Sequence, residues 1–244
     1  MIPFKLIIAY DGTHYFGWQK TASGPSVQES LERALFQITG ERFAVEAASR
    51  TDRGVHAEGQ VVYLGSAKME DPAKLQRALN GVLPFDIRVV AAFLTSDQFH
   101  PTLDASGKEY HYRLCLGPVQ DPIHRLYSWH FRYPLEREKM EQAAKDFIGT
   151  FDFTAFANEE EKNSVCTLEK ITLAELPGHR LQISICGDRF LYKMARNIIG
   201  TLVYIGRGKM AVDCIPSLLV SRDRKAVGVT APAHGLYLHK VFYK

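Results

Sequence analysis

The sequence lacks the usual signatures of zinc, disulfide and membrane proteins. Its four cysteines are scattered, with no C-x-x-C pair and no paired histidines nearby, which argues against a zinc site and a disulfide framework. We therefore expect reduced thiols and a cytoplasmic protein. No apolar run approaches the length of a membrane span. The apolar start of the chain runs into a polar segment without a small-residue cleavage site, so no signal peptide is expected.

The motifs of several large enzyme classes are also missing. There is no P-loop, no G-x-S-x-G and no H-x-E with C-x-x-C, so NTP hydrolysis, the hydrolase elbow and zinc deamination lose their usual support. The segment 206–211, GRGKMA, matches G-x-G-x-x-A. It follows a predicted helix rather than a strand, the reverse of the order in a dinucleotide site. We predict no cofactor and no metal.

Charge is distributed unevenly along the 244 residues. The net charge is only +3, but residues 1–104 carry 10 basic and 12 acidic side chains, and residues 105–244 carry 20 and 15. Five basic residues and one acid fall within 186–210. Such a patch suits phosphates, because each neutralised phosphate releases counterions. A solvated helix face explains it equally well, so charge only permits a nucleic-acid partner.

Strand and helix patterns alternate through both halves of the chain. In the first half we predict strands at 4–10, 60–64 and 87–94, and helices that begin at the caps Ser26 and Asp71. In the second half we predict strands at 109–116 and 235–243, a hairpin of 171–176 with 181–186, and helices at 135–148, 191–205 and 213–220. These patterns predict an α+β fold in two related halves, residues 1–104 and 105–244. They form a largely antiparallel sheet with helices packed on it and a central cleft.

One aspartate stands in a charged loop. Asp52 lies between Arg50 and Arg53 in the segment 49–57, SRTDRGVHA. Cationic neighbours can hold such a carboxylate ionised. An ionised aspartate can be a nucleophile, a general base, a metal ligand or a salt-bridge partner. On this pattern alone the salt bridge is favoured, and with no second carboxylate clustered nearby the metal ligand is the weakest reading.

Aromatic and basic residues are interleaved in the middle of the chain. Tyr110 and Tyr112 alternate onto one side of a predicted strand, and further aromatic and basic residues follow up to Arg132. Bases stack on aromatic rings and guanidinium planes, so this mixture suits RNA, although burial in the core accounts for about half of the rings. On the helix from 191, Lys193 and Arg196 share a cationic stripe.

Together these segments resemble the tRNA pseudouridine synthase A family across nearly the whole chain. The most specific match is SRTDRGVHA at 49–57, which is similar to the family's signature around its catalytic aspartate. The segments YDGT with GWQ near the start, FDFTAF at 151–156 and APAHGLYL at 231–238 are similar as well.

The resemblance implies a function and a set of roles. The family's reaction is the conversion of uridine to pseudouridine in the anticodon stem-loop of tRNA, at positions 38 to 40, by a homodimer that needs no cofactor. Asp52 matches the nucleophile, and Arg196 matches the arginine that pairs with it. Tyr110 matches the aromatic that stacks on the target uracil, with a hydroxyl that is a candidate proton acceptor. Leu236 matches an apolar residue that closes the pocket, and Arg50 one that fills the stack when the nucleotide flips out. We assign Lys193 to substrate binding as well.

Two other functions stay open at this stage. The first is a catalytically silent RNA-binding module or chaperone with the same fold. The second is an enzyme of different chemistry with an aspartyl intermediate, such as a phosphotransferase. That enzyme would need a magnesium site, and the sequence offers no carboxylate cluster to build one.

Overall fold

The computed structural model describes residues 1–160 and 162–244, which form ten β-strands and five α-helices. In chain order these are β1 (Ile2–Tyr10), α1 (Val27–Thr39), β2 (Glu46–Ala47), β3 (His56–Ser66), α2 (Pro72–Val82), β4 (Ile87–Leu94), β5 (Ala105–Leu116), β6 (Trp129–Phe131), α3 (Arg137–Lys145), β7 (Gly149–Asp152), β8 (Val165–Leu176), β9 (Arg180–Gly187), α4 (Met194–Gly206), α5 (Ile215–Ser221) and β10 (Leu236–Tyr243). Within these described residues, no helix is both long and apolar enough to cross a membrane.

The chain divides into two compact units. One unit is Met1–Ser106 together with Tyr237–Lys244, and the other is Gly107–Leu236. The sequence predicted two halves, 1–104 and 105–244, and the structure places the end of the chain differently. Most of β10 groups with the first unit because Tyr237 and Leu238 pair with His56 and Ala57 of β3.

The first unit is built on strands in the order β4, β1, β3, β10, with β2 on β3. β1 is antiparallel to both β3 and β4, and β10 is parallel to β3. Side chains of β1 alternate, so Phe4, Leu6 and Ile8 are fully buried while their neighbours are not. This period of two is the pattern of a strand with one face in the core.

Helices α1 and α2 begin and end at the residues that the sequence indicates. Ser26 caps α1 by accepting a hydrogen bond from the Glu29 amide, and Gly40 ends it. Asp71 caps α2, with Pro72 at its first position. The Asn80 side chain ties α2 to β4, since its oxygen accepts from the Val89 N–H (2.8 Å) and its nitrogen donates to the Val89 carbonyl (2.9 Å).

The second unit has strands in the order β5, β9, β8, β7, all antiparallel, with β6 parallel to β5. The predicted hairpin of β8 and β9 turns at Gly178, where Leu176 pairs with Arg180. Helix α4 is apolar on nearly every side, and its residues Ile198, Ile199 and Leu202 are fully buried. Such a helix belongs inside a unit rather than on its surface.

A tight backbone contact holds α4 against the segment that follows α5. A Cβ at Gly200 would collide with the Val229 carbonyl, and the Ala231 N–H donates to the Arg196 carbonyl at 3.1 Å. The Thr201 hydroxyl adds a hydrogen bond from the Gly228 N–H at 3.0 Å. One face of α4 is therefore locked to residues 228–231.

The α+β class is confirmed, and nearly all strand pairs within each unit are antiparallel. The principal elements lie where the sequence predicts them, and the predicted strand at 87–94 has the same bounds as β4. Two helices are shorter than predicted, because α3 covers only Arg137–Lys145 and α4 begins at Met194. The short strands β2, β6 and β7 were not predicted.

We predict that Gly200→Ala destabilises the protein by about 2–3 kcal/mol, because the added methyl group has no space against the Val229 carbonyl. Gly81→Ala is the matched control, since it also lies in a helix but has nothing within 4 Å of the added Cβ. That control should raise the free energy of unfolding by up to about 1 kcal/mol. Urea unfolding of both variants measures the difference, and equal midpoints would contradict the close contact.

Candidate active site

Asp52 lies in the loop between β2 and β3, and its neighbours are fixed from several sides. The Thr51 hydroxyl is hydrogen-bonded to the Tyr10 hydroxyl at 2.7 Å in a buried position. The Trp18 N–H donates to the Thr51 carbonyl at 3.0 Å, and the Val55 N–H donates to the Asp52 carbonyl at 3.1 Å. The residues beside Asp52 thus have little freedom to move.

The loop after β1 approaches this segment closely enough to require glycine. A Cβ at Gly17 would lie 2.6 Å from the Thr51 carbonyl oxygen, and Gly17 has a φ of +96°. A Cβ at Gly12 would collide with the Val55 carbonyl. The Gly12 N–H also donates to His56 Nδ1 at 3.1 Å. The motifs YDGT with GWQ and SRTDRGVHA therefore form one structure, which we call the Asp52 clamp (residues 10–18 and 49–56).

Ser49, at the start of the second segment of the clamp, is anchored by a residue in the core of the first unit. The side chain of Gln60 is fully buried, accepts from the Ser49 N–H at 3.2 Å and donates to the Ser49 carbonyl at 2.6 Å. A buried amide that satisfies both backbone groups of one residue holds that residue in a single position.

The two arginines beside Asp52 in sequence do not pair with it in the structure. The Arg53 guanidinium stacks on the ring of Phe16, 4.0 Å from its centroid, and Arg50 is exposed. Within the described residues neither arginine forms an ion pair with Asp52. The chain turns at Arg53 and Gly54, so neighbours in sequence need not be neighbours in space here. The interpretation of Asp52 as a partner of these two arginines is wrong.

Tyr110 and Tyr112 lie on β5 in the second unit. Tyr110 is 7% exposed, and its ring meets that of Phe190 edge to face at 4.9 Å. Tyr112 is fully buried, and its hydroxyl donates to the Pro232 carbonyl at 2.9 Å. Burial raises the pKa of Tyr112 well above its ordinary value, so this phenol stays protonated. Tyr112 is therefore a packing residue, as the sequence allowed for one of the two.

Arg196, Lys193 and Leu236 also belong to the second unit. Arg196 is in the first turn of α4, and its Nε donates to the Ala231 carbonyl at 2.7 Å. Lys193 precedes the helix with a φ of 61°, an uncommon conformation for a residue other than glycine. Its ammonium group lies 4.7 Å from the centre of the Tyr192 ring. Leu236 is buried at the start of β10.

A buried network behind Arg196 was not predicted. The Asn197 side chain donates to the Phe156 carbonyl (2.6 Å) and accepts from Arg224 (2.8 Å) and from Thr230 (2.7 Å). A fully satisfied polar network of this kind fixes the start of α4 and hence the backbone of Arg196. The sequence signal was weak, because Arg224 and Thr230 lie far from Asn197 along the chain.

Lys108 is a further cation that the sequence analysis left without a role. It lies two residues before Tyr110, on the same side of β5. Burial and, second, the charge of Arg189 lower the pKa of Lys108 to about 8. Within the described residues its ammonium group has no carboxylate partner. The free protein therefore holds this charge at a cost in stability.

We predict that Lys108→Met stabilises the free protein by about 1–2 kcal/mol at neutral pH. The pKa of Lys108 is lower in the folded protein than in the unfolded chain, so the unfolded chain holds this proton more tightly. The full cost of keeping Lys108 charged in the folded protein is therefore present below about pH 8. The penalty declines as the pH rises towards 10.5, and the gain from the substitution declines with it. Urea unfolding at several pH values between 8 and 10.5 measures the gain in the free energy of unfolding, with Lys145→Met as an exposed control. A gain independent of pH would contradict the explanation.

Comparison with known proteins identifies the family. A family profile described as tRNA pseudouridine synthase matches residues 6–101 and 143–244. The chain is 50% identical to tRNA pseudouridine synthase A 2 of Protochlamydia amoebophila (strain UWE25), over 100% of this chain and 95% of that protein. It is 39% identical to tRNA pseudouridine synthase A of Streptococcus equi subsp. equi (strain 4047), over 100% of both chains. Both matches, like the profile, include the Asp52 clamp, and the chain belongs to the tRNA pseudouridine synthase family of isomerases.

Proposed function

We propose that this chain converts uridine to pseudouridine in the anticodon stem-loop of tRNA, at positions 38 to 40, with Asp52 as the nucleophile. The observation that carries the proposal is the Asp52 clamp, in which buried hydrogen bonds and two close glycine contacts fix the backbone on both sides of one carboxylate. A fixed position is what a nucleophile needs, because small displacements from the reacting atom cost large factors in rate. Membership of the family supplies the reaction.

The reaction suits a single carboxylate. The bond between N1 of uracil and C1′ of ribose breaks, the base turns, and C5 bonds to C1′ in its place. C5 then loses its proton and N1, released from C1′, takes up a proton, so the product is an isomer of the substrate. Nothing is oxidised and no group is donated, and the reaction therefore needs no cofactor. A carboxylate can attack as a nucleophile and afterwards depart.

The other site residues receive the roles that the family resemblance implies. Arg196 supports the negative charge of the nucleophile, and its anchoring by Ala231 and by the Asn197 network suits a fixed cation. Tyr110 stacks on the target uracil and accepts the final proton. Leu236 closes the pocket beside the base. Each of these three has restricted motion in the second unit, because it is buried or hydrogen-bonded.

Two residues are proposed to bind the RNA around the target. Arg50 is exposed. A side chain that takes the place of a flipped nucleotide between the stacked bases has to be exposed in this way. Lys193 is held in a strained backbone conformation at the start of α4, and such strain is common at functional positions. Their long cationic side chains suit contacts with phosphates and bases.

The proposed partner is tRNA, and the proposed working form is a cytoplasmic homodimer. The cytoplasmic assignment is supported by the four cysteines, which are not joined by disulfides. The dimer is carried over from the family, and the oligomeric state of the purified protein at micromolar concentration tests it directly.

We predict that Asp52→Asn abolishes turnover and retains tRNA binding. Because C5 loses its hydrogen, tRNA transcripts that carry tritium at C5 of uridine release it as the product forms. The initial rate should fall at least about 10³-fold, as expected for loss of a nucleophile. Asp97→Asn removes an exposed carboxylate from the same unit and is the control, with the wild-type rate expected.

Two results would contradict this proposal in different ways. A rate for Asp52→Asn within about tenfold of wild type would exclude the carboxylate as nucleophile. Wild-type protein that binds tRNA but releases no tritium would exclude the isomerase and favour the RNA-binding module. Mapping of pseudouridine by nucleotide in the wild-type product then tests positions 38 to 40.

A further inference from the structure

Two arginines converge on one tyrosine in the second unit. The Arg207 guanidinium lies over the Tyr133 ring, with its carbon 3.2 Å from the ring centroid. A nitrogen of Arg132 donates to the Tyr133 hydroxyl at 3.1 Å, and the Arg132 guanidinium carbon is 5.0 Å from the same centroid. We call Arg132, Tyr133 and Arg207 the Arg-Tyr-Arg cluster. None of them has a role in the chemistry proposed above.

The scaffold brings together two segments that are far apart in sequence. Arg132 and Tyr133 follow β6, which is held by its pairing with β5. Arg207 is the residue that ends α4, and the Glu136 N–H donates to the carbonyl of the preceding Gly206 at 2.8 Å. The end of α4 is thus tied to the segment between Tyr133 and α3. Backbone contacts therefore place the residues of the cluster next to one another.

The cluster holds positive charge that the protein does not neutralise. Within residues 1–160 and 162–244, neither Arg132 nor Arg207 forms an ion pair with a carboxylate. Glu136, which is tied to the end of α4, pairs instead with Lys139 at 2.7 Å. Arg132 and then Arg207 lower the pKa of the Tyr133 phenol, which shows that both charges act at the same point. Lys209 adds a third, exposed cation two residues beyond Arg207.

Hydrogen-bonding capacity is left over as well. Nη1 of Arg207 is buried and has no hydrogen-bond partner, so a phosphate reaches this nitrogen only when the atoms that cover it move aside. Arginine presents its donors as a planar fork that matches the oxygens of a phosphate. The two guanidinium groups contact the same tyrosine and face no carboxylate. A bound phosphate group would therefore reduce the repulsion between their two positive charges.

The surrounding aromatic residues favour RNA over a free anion. Tyr133 is 41% exposed and meets Phe131 edge to face at 5.7 Å, and Phe131 meets Trp129 in the same way at 5.3 Å. A partly open ring beside guanidinium groups is the combination that single-stranded RNA contacts with its bases and phosphates. Arg207 lies 11 residues after Arg196 on α4, about 16 Å along the helix axis, too far for both to contact one phosphate.

We propose that the Arg-Tyr-Arg cluster is a binding site for the sugar-phosphate backbone of the tRNA, at a nucleotide other than the one that is isomerised. Arg132 and Arg207 contact the phosphate oxygens, while the Tyr133 ring packs against Arg207 and the Tyr133 hydroxyl accepts from Arg132. The inference rests on the proposed function for the identity of the RNA. It adds a contact that fixes the orientation of the tRNA, because phosphate contacts position a nucleic acid without reading its sequence.

The test is tRNA affinity as a function of salt. Equilibrium binding of an unmodified tRNA transcript to the full chain is measured from about 50 to about 200 mM KCl. For the double variant Arg132→Ala with Arg207→Ala we expect a Kd raised at least about tenfold and a salt slope lower by about two. The double variant Lys145→Ala with Lys225→Ala removes two exposed cations from the same unit, and its Kd should stay within about twofold of wild type.

Two further variants distinguish a binding role from a structural one. Arg132→Lys with Arg207→Lys keeps both charges, so it should retain the salt slope while the loss of the planar fork weakens binding. Tyr133→Phe keeps the ring that packs against Arg207 but removes the hydroxyl that accepts from Arg132, so it should weaken binding less than the alanine double variant does. Thermal unfolding shows which variants are folded.

An unchanged Kd and slope in the folded alanine double variant would overturn the inference. A weaker Kd with an unchanged slope would also overturn it, since no phosphate contact would then have been lost. The binding assay does not depend on turnover. Failure of wild-type protein to release tritium from tRNA would therefore count against the proposed reaction, and the salt titration would still decide the role of the cluster.

Discussion

The close approach of two loops in the first unit is the constraint on which the catalytic assignment depends. Gly12 and Gly17 allow the loop after β1 to touch the backbone of the loop that carries Asp52. A hydrogen bond from the Trp18 N–H to the Thr51 carbonyl and one between the Tyr10 and Thr51 hydroxyls then close the contact. These bonds are buried, and an unmade bond in such a place costs the full desolvation of its partner. The loop therefore has one low-energy conformation, and the carboxylate inherits its position from that conformation.

The second unit fixes its residues by the same physical means. Helix α4 is apolar on nearly every side and lies inside the unit, and its first turn is attached to Ala231, whose N–H donates to the Arg196 carbonyl. In the same turn, the Asn197 side chain accepts hydrogen bonds from Arg224 and Thr230. Arg196 thus projects from a segment that is rigid for reasons independent of substrate. Charges placed on such segments are already oriented before the reaction begins, which is the condition for electrostatic catalysis.

The protein also carries cations that its own carboxylates do not neutralise. Lys108 is held at a lowered pKa, and Arg132 and Arg207 share one aromatic ring. Folding alone does not explain the charge of Lys108, because an apolar residue would cost less at a buried position. A polyanionic partner does explain it. The net charge of +3 does not reveal these cations, since the excess of basic over acidic residues lies in the second half of the chain.

Much of the fold could be predicted because local signals agreed with tertiary structure. The cap at Ser26, the turn at Gly178 and the alternating strand patterns each have a local physical cause, and the structure contains them. Strands of two to four residues could not be predicted, since β2, β6 and β7 are too short for any periodicity and are formed by their partners.

The site was predictable in part, for a related reason. The motif around Asp52 is continuous in sequence and could be recognised, but its contact with residues 10–18 in the clamp could not. The Asn197 network and the Arg-Tyr-Arg cluster join residues that are tens of positions apart, and no periodicity connects them. The flanking arginines were misjudged because sequence adjacency was taken for spatial contact, whereas Arg53 turns to Phe16.

The central claim is that the clamp fixes the position of one carboxylate, and Asp52→Glu tests it most directly. This variant keeps the charge and moves it by one methylene group. The measurement is the rate of tritium release from C5-labelled tRNA at saturating substrate, with equal thermal midpoints of the two proteins. We expect a rate at least about 10²-fold below wild type, the cost of displacing a reacting atom by about 1 Å. A rate within about threefold of wild type would contradict it, because charge alone would then suffice.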